Sequence, residues 1–214
     1  MNIHSKYLEK YSQIFWDFDG VIKDSLSAKA QSFVEIFKCD DGESLKRISE
    51  HHFENAGMSR LQKIPLYMGW CGVEITPDSV NLYSKRFADL VVERVIESPW
   101  VEGVHEYILQ HFARQRFILV TATPTQEIDY ILRALDIRCC FQGVYGSERS
   151  KVEAIKLELA DENYSTAALI GDGRIDWEAA QSCDIDFILR LTPENHKLAE
   201  EIAAPRFGTL KNYE

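Results

Sequence analysis

Two carboxylates stand one residue apart in Asp17-Phe18-Asp19-Gly20, directly after the apolar run Ile14-Phe15-Trp16. A buried strand does not end in paired acids for the sake of packing, because an unpaired charge beside a core is costly. Paired acids and a turn glycine at the carboxyl end of a strand make a site for a divalent cation or a reacting electrophile. Open α/β sheets bind ligands at that edge. Three further stretches have a similar form. Phe117-Ile118-Leu119-Val120 runs into Thr121-Ala122-Thr123, and Ala168-Leu169-Ile170 runs into Gly171-Asp172-Gly173-Arg174-Ile175-Asp176. Between them, Gly146-Ser147-Glu148-Arg149-Ser150-Lys151 opens a helix after a short strand.

In a parallel sheet these ends share one edge, which gathers four carboxylates, a hydroxyl and an ammonium into a cleft. Clustered acids repel one another unless a cation sits among them, and oxygen-only donors suit Mg²⁺. Duller readings exist for each piece. A calcium loop beginning at Asp17 would need an acid or amide and then glycine where Val21 and Ile22 stand, and a glutamate where Ala28 stands. The stretch Gly171 to Asp176 lacks the third glycine of a dinucleotide fingerprint and would push Asp172 at a pyrophosphate. Asp176 alone could be a first-turn helix acid. Thr121 alone could be a strand residue and Lys151 a solvated lysine. The order of the motifs and their common place at strand ends carry the argument.

The elements that must position these groups follow from the hydrophobic pattern. Helical spacing at Ala30, Phe33, Val34 and Phe37 predicts a helix capped by Ser25 or Ser27 and broken at Asp40-Asp41-Gly42. Residues 43–96 read as helical throughout, with turns at Gly57, at Gly69 to Gly72 and at Thr76-Pro77-Asp78. His51-His52 reads as a solvated face, since adjacent helical residues diverge. From Ser98-Pro99 onward helices and short apolar strands alternate as far as Leu189, and the tail after Pro193 carries little signal. This predicts an α/β fold, a mostly parallel sheet with helices on both faces, interrupted by an all-α insertion. The boundaries are a core of residues 1–22 and 97–214 and an insertion of 23–96.

The 214 residues fit one large domain or a core with one insertion. Hydrophobic residues make up 45% and charged residues 27%, enough to bury a sizeable core. A net charge of −10 argues against nonspecific binding to nucleic acid or to an anionic membrane surface. It also means that an anionic substrate needs local positive charge or a metal. Cys39, Cys71, Cys139, Cys140 and Cys183 are odd in number and form no CxxC, which predicts reduced thiols. Met1 to Gln13 has no apolar core of a signal peptide and no run spans a bilayer, so a soluble cytoplasmic protein is expected.

The ordered set resembles the haloacid dehalogenase superfamily of phosphatases and phosphomutases. Its motifs stand here as Asp17/Asp19/Gly20, Thr121, Lys151 and Asp172/Asp176, over residues 14 to about 190. The resemblance implies a Rossmann-like core and a Mg²⁺-dependent phosphomonoester hydrolase acting on a small phosphorylated metabolite. The alternatives it leaves are a sugar phosphomutase or a catalytically silent binding relative. Asp17 is then the nucleophile that forms an aspartyl-phosphate and Asp19 the general acid and base. Thr121 and the Ala122 N–H hold phosphoryl oxygens beside Gly20, and Lys151 stabilises the transferring group. Asp17, the Asp19 carbonyl, Asp172 and Asp176 form the metal set. The intact acid pair favours phosphate chemistry over carbon–halogen cleavage. The insertion resembles the α-helical cap of phosphoglycolate phosphatase-like and β-phosphoglucomutase-like members. Its Gly57-Met58-Ser59-Arg60 offers Arg60 to an anionic or polyhydroxyl part of the substrate, with Lys23 and Lys29 as lesser candidates. The resemblance leaves the substrate and the oligomeric state open.

Overall fold

Gln13–Trp16 forms the first strand, β1, of a parallel sheet in the computed structural model, which describes residues 3–37, 39, 42–160 and 166–211. A short helix α1 (Ser5–Leu8) precedes it, and four helices follow: α2 (Leu26–Phe37), α3 (Gly42–Glu54), α4 (Arg60–Trp70) and α5 (Pro77–Glu97). The chain then alternates through α6 (Val104–His111), β2 (Arg116–Val120), α7 (Thr125–Ala134), a 3₁₀ turn (Arg138–Cys140) and β3 (Gly143–Tyr145). It ends with α8 (Lys151–Leu159), β4 (Ala167–Gly171), α9 (Arg174–Ser182), β5 (Asp186–Arg190), α10 (His196–Glu201) and β6 (Arg206–Phe207). The strand order is β3-β2-β1-β4-β5-β6, and every pairing is parallel. This is the predicted α/β architecture with its all-helical cap inserted after β1.

The strands read as unbroken apolar runs because both faces of the sheet are covered. Ile14, Trp16, Phe117, Leu119, Ala168 and Ile170 pack into one cluster with α6, α7 and the cap helices. Their alternates Phe15, Ile118, Val120 and Leu169 pack on the other face against Ala154, Ile155, Ala179 and Ala180 of α8 and α9. The two connections between core and cap are tied together. The Val101 N–H donates to Ile22 O at 3.0 Å and the Asp24 N–H to Pro99 O at 2.8 Å. Lys23 fastens the same place: its Nζ donates to Ile96 O at 2.9 Å and lies 4.5 Å from the Trp100 ring centroid. Lys23 is therefore spent on the connection.

Four expectations change. Beyond Pro193 the chain adds α10 and a sixth strand, whose two residues were too short to register as a period. Ser25 precedes α2, but its hydroxyl donates to Asp19 Oδ1 at 2.6 Å instead of capping the helix. His52 is buried, not solvated, because its face of α3 lies under α4 and against Phe33. Cys39 and Cys71 are joined by a disulfide across 32 residues, contrary to the expectation of reduced thiols. Their Cα atoms come within 5.5 Å because the ends of α2 and α4 meet, which no spacing rule announces. Asp40 and Asp41 lie outside the described residues.

Candidate active site

The backbone ladder carries the acids to one edge. Trp16 is in register with Ile170 of β4 and Leu119 of β2, so Asp17, Thr121 and Asp172 each follow the end of a neighbouring strand. The Asp17 N–H still donates to Ile170 O at 2.9 Å, and the chain turns only afterwards. Gly20 makes that turn with φ +74°, and a Cβ there would overlap the Asp172 carboxylate. Glycine thus serves both the left-handed backbone and the close approach of an acid. Gly171 serves the close approach alone, for Asp176, whose side chain a Cβ would strike. Asp172 is held from below by Asn195, whose Nδ2 donates to Asp172 O at 2.8 Å and to Arg190 O at 2.7 Å.

Lys151 is the hub of the cluster. Its Nζ lies 2.8 Å from Asp17 Oδ2 and is also ion-paired with Asp176. Ser150 presents it, capping α8 by accepting the Glu153 N–H at 3.2 Å. The other Asp17 oxygen accepts the Phe18 N–H at 2.7 Å. Burial drives the Asp17 carboxyl up to about 7; Lys151 opposes this, while Asp176 and Asp19 add to it. Asp172 is raised well above the usual range by burial first, then by Asp17 and Asp176. Burial would lower Lys151, but Asp17 and Asp176 outweigh it and hold the ammonium charged.

Carboxylate oxygens of Asp17, Asp172 and Asp176 lie within 4.8 Å of one another, all three residues buried. One lysine among three acids leaves uncompensated negative charge, and an all-oxygen donor set fits a hard divalent cation. These residues suit Mg²⁺.

Asp19 sits beside this cluster in a different setting. Lys29 is ion-paired with its Oδ2 and also donates to Thr123 Oγ1 at 2.8 Å, and Ser25 holds Oδ1. From the sequence, Lys29 stands behind Arg60, Ser25 reads only as a helix cap and Thr123 has no assigned part. The i, i+4 spacing of Ser25 and Lys29 at the start of a helix after the acid pair was the available signal. Thr121 is buried at the end of β2, where its Oγ1 accepts the Thr123 N–H at 3.3 Å. Ala122 faces the space under the cap beside Lys29. Arg60 also lines that space, but its guanidinium is ion-paired with Glu127 of α7. A cavity of about 390 Å³ runs from the Asn55–Gly57 turn of the cap to Asp172 and Asn195, so of the clustered acids Asp172 borders an open space.

A family model described as haloacid dehalogenase-like hydrolase matches residues 14–190. The chain belongs to that family. The haloacid dehalogenase-like architecture is shared with solved structures of low sequence identity, which establish the common fold. A predicted phosphoglycolate phosphatase from Haemophilus somnus 129PT superposes with a TM-score of 0.76 at 17% identity, covering 94% of this chain and 95% of that one. A mutant of CbbY from Rhodobacter sphaeroides in complex with xylulose-1,5-bisphosphate gives 0.74 at 16% identity, covering 92% and 93%. The putative hydrolase YfnB from Bacillus subtilis, bound to magnesium, gives 0.65 at 16%, covering 84% and 88%. No curated protein matches the chain in sequence.

Proposed function

We propose that this family member is a Mg²⁺-dependent phosphatase that cleaves small phosphomonoesters through an aspartyl-phosphate on Asp17. The observation that carries the reading is the convergence of Asp17, Lys151, Asp172 and Asp176, from β1, α8, β4 and α9, with Asp19 held separately alongside. Asp17, Asp172 and Asp176, with the Asp19 carbonyl, would hold the ion, which would supply charge neutralisation at the phosphoryl group. An Asp17 oxygen forms the new bond to phosphorus as the ester P–O bond breaks. Asp19 acts in its protonated form, with the Lys29 pairing released, and gives that proton to the departing alkoxide, so the alcohol leaves neutral. Asp19, now ionised, takes a proton from the water that attacks the phosphoryl group, which frees Asp17 and inorganic phosphate. Lys151 keeps Asp17 oriented throughout and offsets the charge of the transferring group. Thr121 and the Ala122 N–H hold phosphoryl oxygens.

Residues 23–96 form the cap in this reading, and its α4 closes the substrate space from above. Among the described residues no helix is long and apolar enough to cross a membrane. A cytoplasmic location stands against the Cys39–Cys71 bond, since such bonds persist in oxidising surroundings.

Hydrolysis of p-nitrophenyl phosphate with and without Mg²⁺ tests the assignment. The wild type turns over only with the ion, and Asp17→Asn loses activity by roughly three orders of magnitude or more. Asp19→Asn loses turnover while retaining Mg²⁺ binding. A wild type that is inactive with Mg²⁺ would mark a binding protein on a phosphatase fold.

A further inference from the structure

The cap turns a lysine inward, and no acid among the described residues meets it. Lys63 on α4 is 1% exposed, and among the described residues it makes no ion pair. Its Nζ contacts His52 Nδ1 at 3.0 Å and lies 5.9 Å from the Phe33 ring centroid. The other cations lining the same space, Lys29 and Arg60, each hold a carboxylate, from Asp19 and Glu127. The space faces Ala122 and Thr123 on the core, so Lys63 looks across it toward the catalytic edge. The fields of Asp19 and Asp172 reach Lys63.

A buried ammonium without a counter-charge is costly, and an apolar residue of similar volume packs there more cheaply. The cost shows in the ammonium itself, which burial and the Lys29 charge push down to about 7. His52 offers no compensation beyond one acceptor. Burial, then the charge of Lys63, drive its ring well below the ordinary histidine range and keep it neutral. A neutral ring accepting at Nδ1 fixes the direction of the Lys63 side chain without neutralising it.

We propose that Lys63, aimed by His52, receives a second anionic group of the substrate, so the preferred phosphomonoesters carry a carboxylate or another phosphate away from the scissile group. This rests on the phosphatase reading above, and it gives that role to Lys63 in place of Arg60, whose charge Glu127 already meets. The cavity under the closed cap is about 20 Å³, room for roughly one water, so the cap lifts to admit the substrate.

The test compares kcat/KM of the full-length protein with Mg²⁺ for two matched pairs. One pair is 3-phosphoglycerate and glycerol 3-phosphate; the other is fructose 1,6-bisphosphate and fructose 6-phosphate. The first pair reads a carboxylate and the second a phosphate. Wild type prefers the more anionic member of at least one pair, and Lys63→Met lowers that preference by roughly ten- to hundredfold, chiefly through KM. Lys63→Arg keeps part of it. Lys63→Met also raises the melting temperature of the substrate-free protein, which loss of a merely structural contact would lower. An unchanged preference in Lys63→Met, or no preference in wild type, overturns the proposal. Should wild type hydrolyse none of these esters, the phosphatase reading falls and thermal shift decides the subsite separately. Stabilisation of wild type but not Lys63→Met by 3-phosphoglycerate supports it, and equal stabilisation of both refutes it.

Discussion

Asp17 and Asp172 are buried acids whose protons are held by their surroundings. Burial, with the neighbouring acids, moves Asp17 from 3.8 to about 7 and Asp172 in the same direction. A carboxyl whose folded pKa is raised contributes stability below its unfolded pKa, and that contribution is lost as pH rises through the folded value. The ion-free protein therefore loses stability between about pH 4 and pH 7 as these acids ionise against one another. A cation that binds the ionised set restores it, and binding competes with protons. Melting curves with saturating Mg²⁺ and with chelator are expected to separate more widely at pH 8 than at pH 5. A separation independent of pH would mean that the ion is held elsewhere. The legibility of these residues was uneven. Asp17, Asp19, Asp172 and Lys151 were readable because each lies at the end of a strand or the start of a helix that its own segment announces. Lys29 read only as a lesser candidate and Ser25 only as a helix cap, because their use depends on where the Asp19 side chain turns.

At the scale of elements, two of the ties between cap and core lie away from the Asp19 cluster. One is the paired connection at Ile22–Asp24 and Pro99–Val101, and the other is the ion pair between Arg60 of α4 and Glu127 of α7. With side-chain exposures of 7% and 11%, this pair is largely shielded from solvent. Removing one partner strands the other charge, at a cost of about 3 kcal/mol. Glu127→Gln is expected to speed hydrogen exchange in α4 while the β1, β2 and β4 amides stay protected. Unchanged exchange in α4 would show that the pair is not a tie between cap and core. Helical periodicity located α4 but gave no sign of its partner. The acid lies 67 residues away, on a helix whose own pattern reports only its apolar face.

At the scale of the whole molecule, the described residues carry one covalent tie, the Cys39–Cys71 disulfide, within the cap. It joins the end of α2 to the end of α4 and so closes the helical bundle above the site. Closing a loop of this length removes about 3–4 kcal/mol of unfolded-chain entropy. Urea unfolding of the wild type is expected to shift to lower denaturant on adding dithiothreitol, whereas Cys71→Ser starts at the lower midpoint and does not respond. Two midpoints that coincide in oxidised and reduced wild type would remove the bond from the stability of the cap. What the sequence alone determined is the sheet edge and the chemistry placed on it. Apolar runs and helical spacing are local signals, and parallel pairing sends every strand end to the same side. Tertiary structure alone decided the partners of long side chains: Arg60 with Glu127, Cys39 with Cys71, and Lys63 with no acid among the described residues. Those outcomes depend on how distant helices pack, and a side chain's charge or thiol does not encode which neighbour the packing will bring.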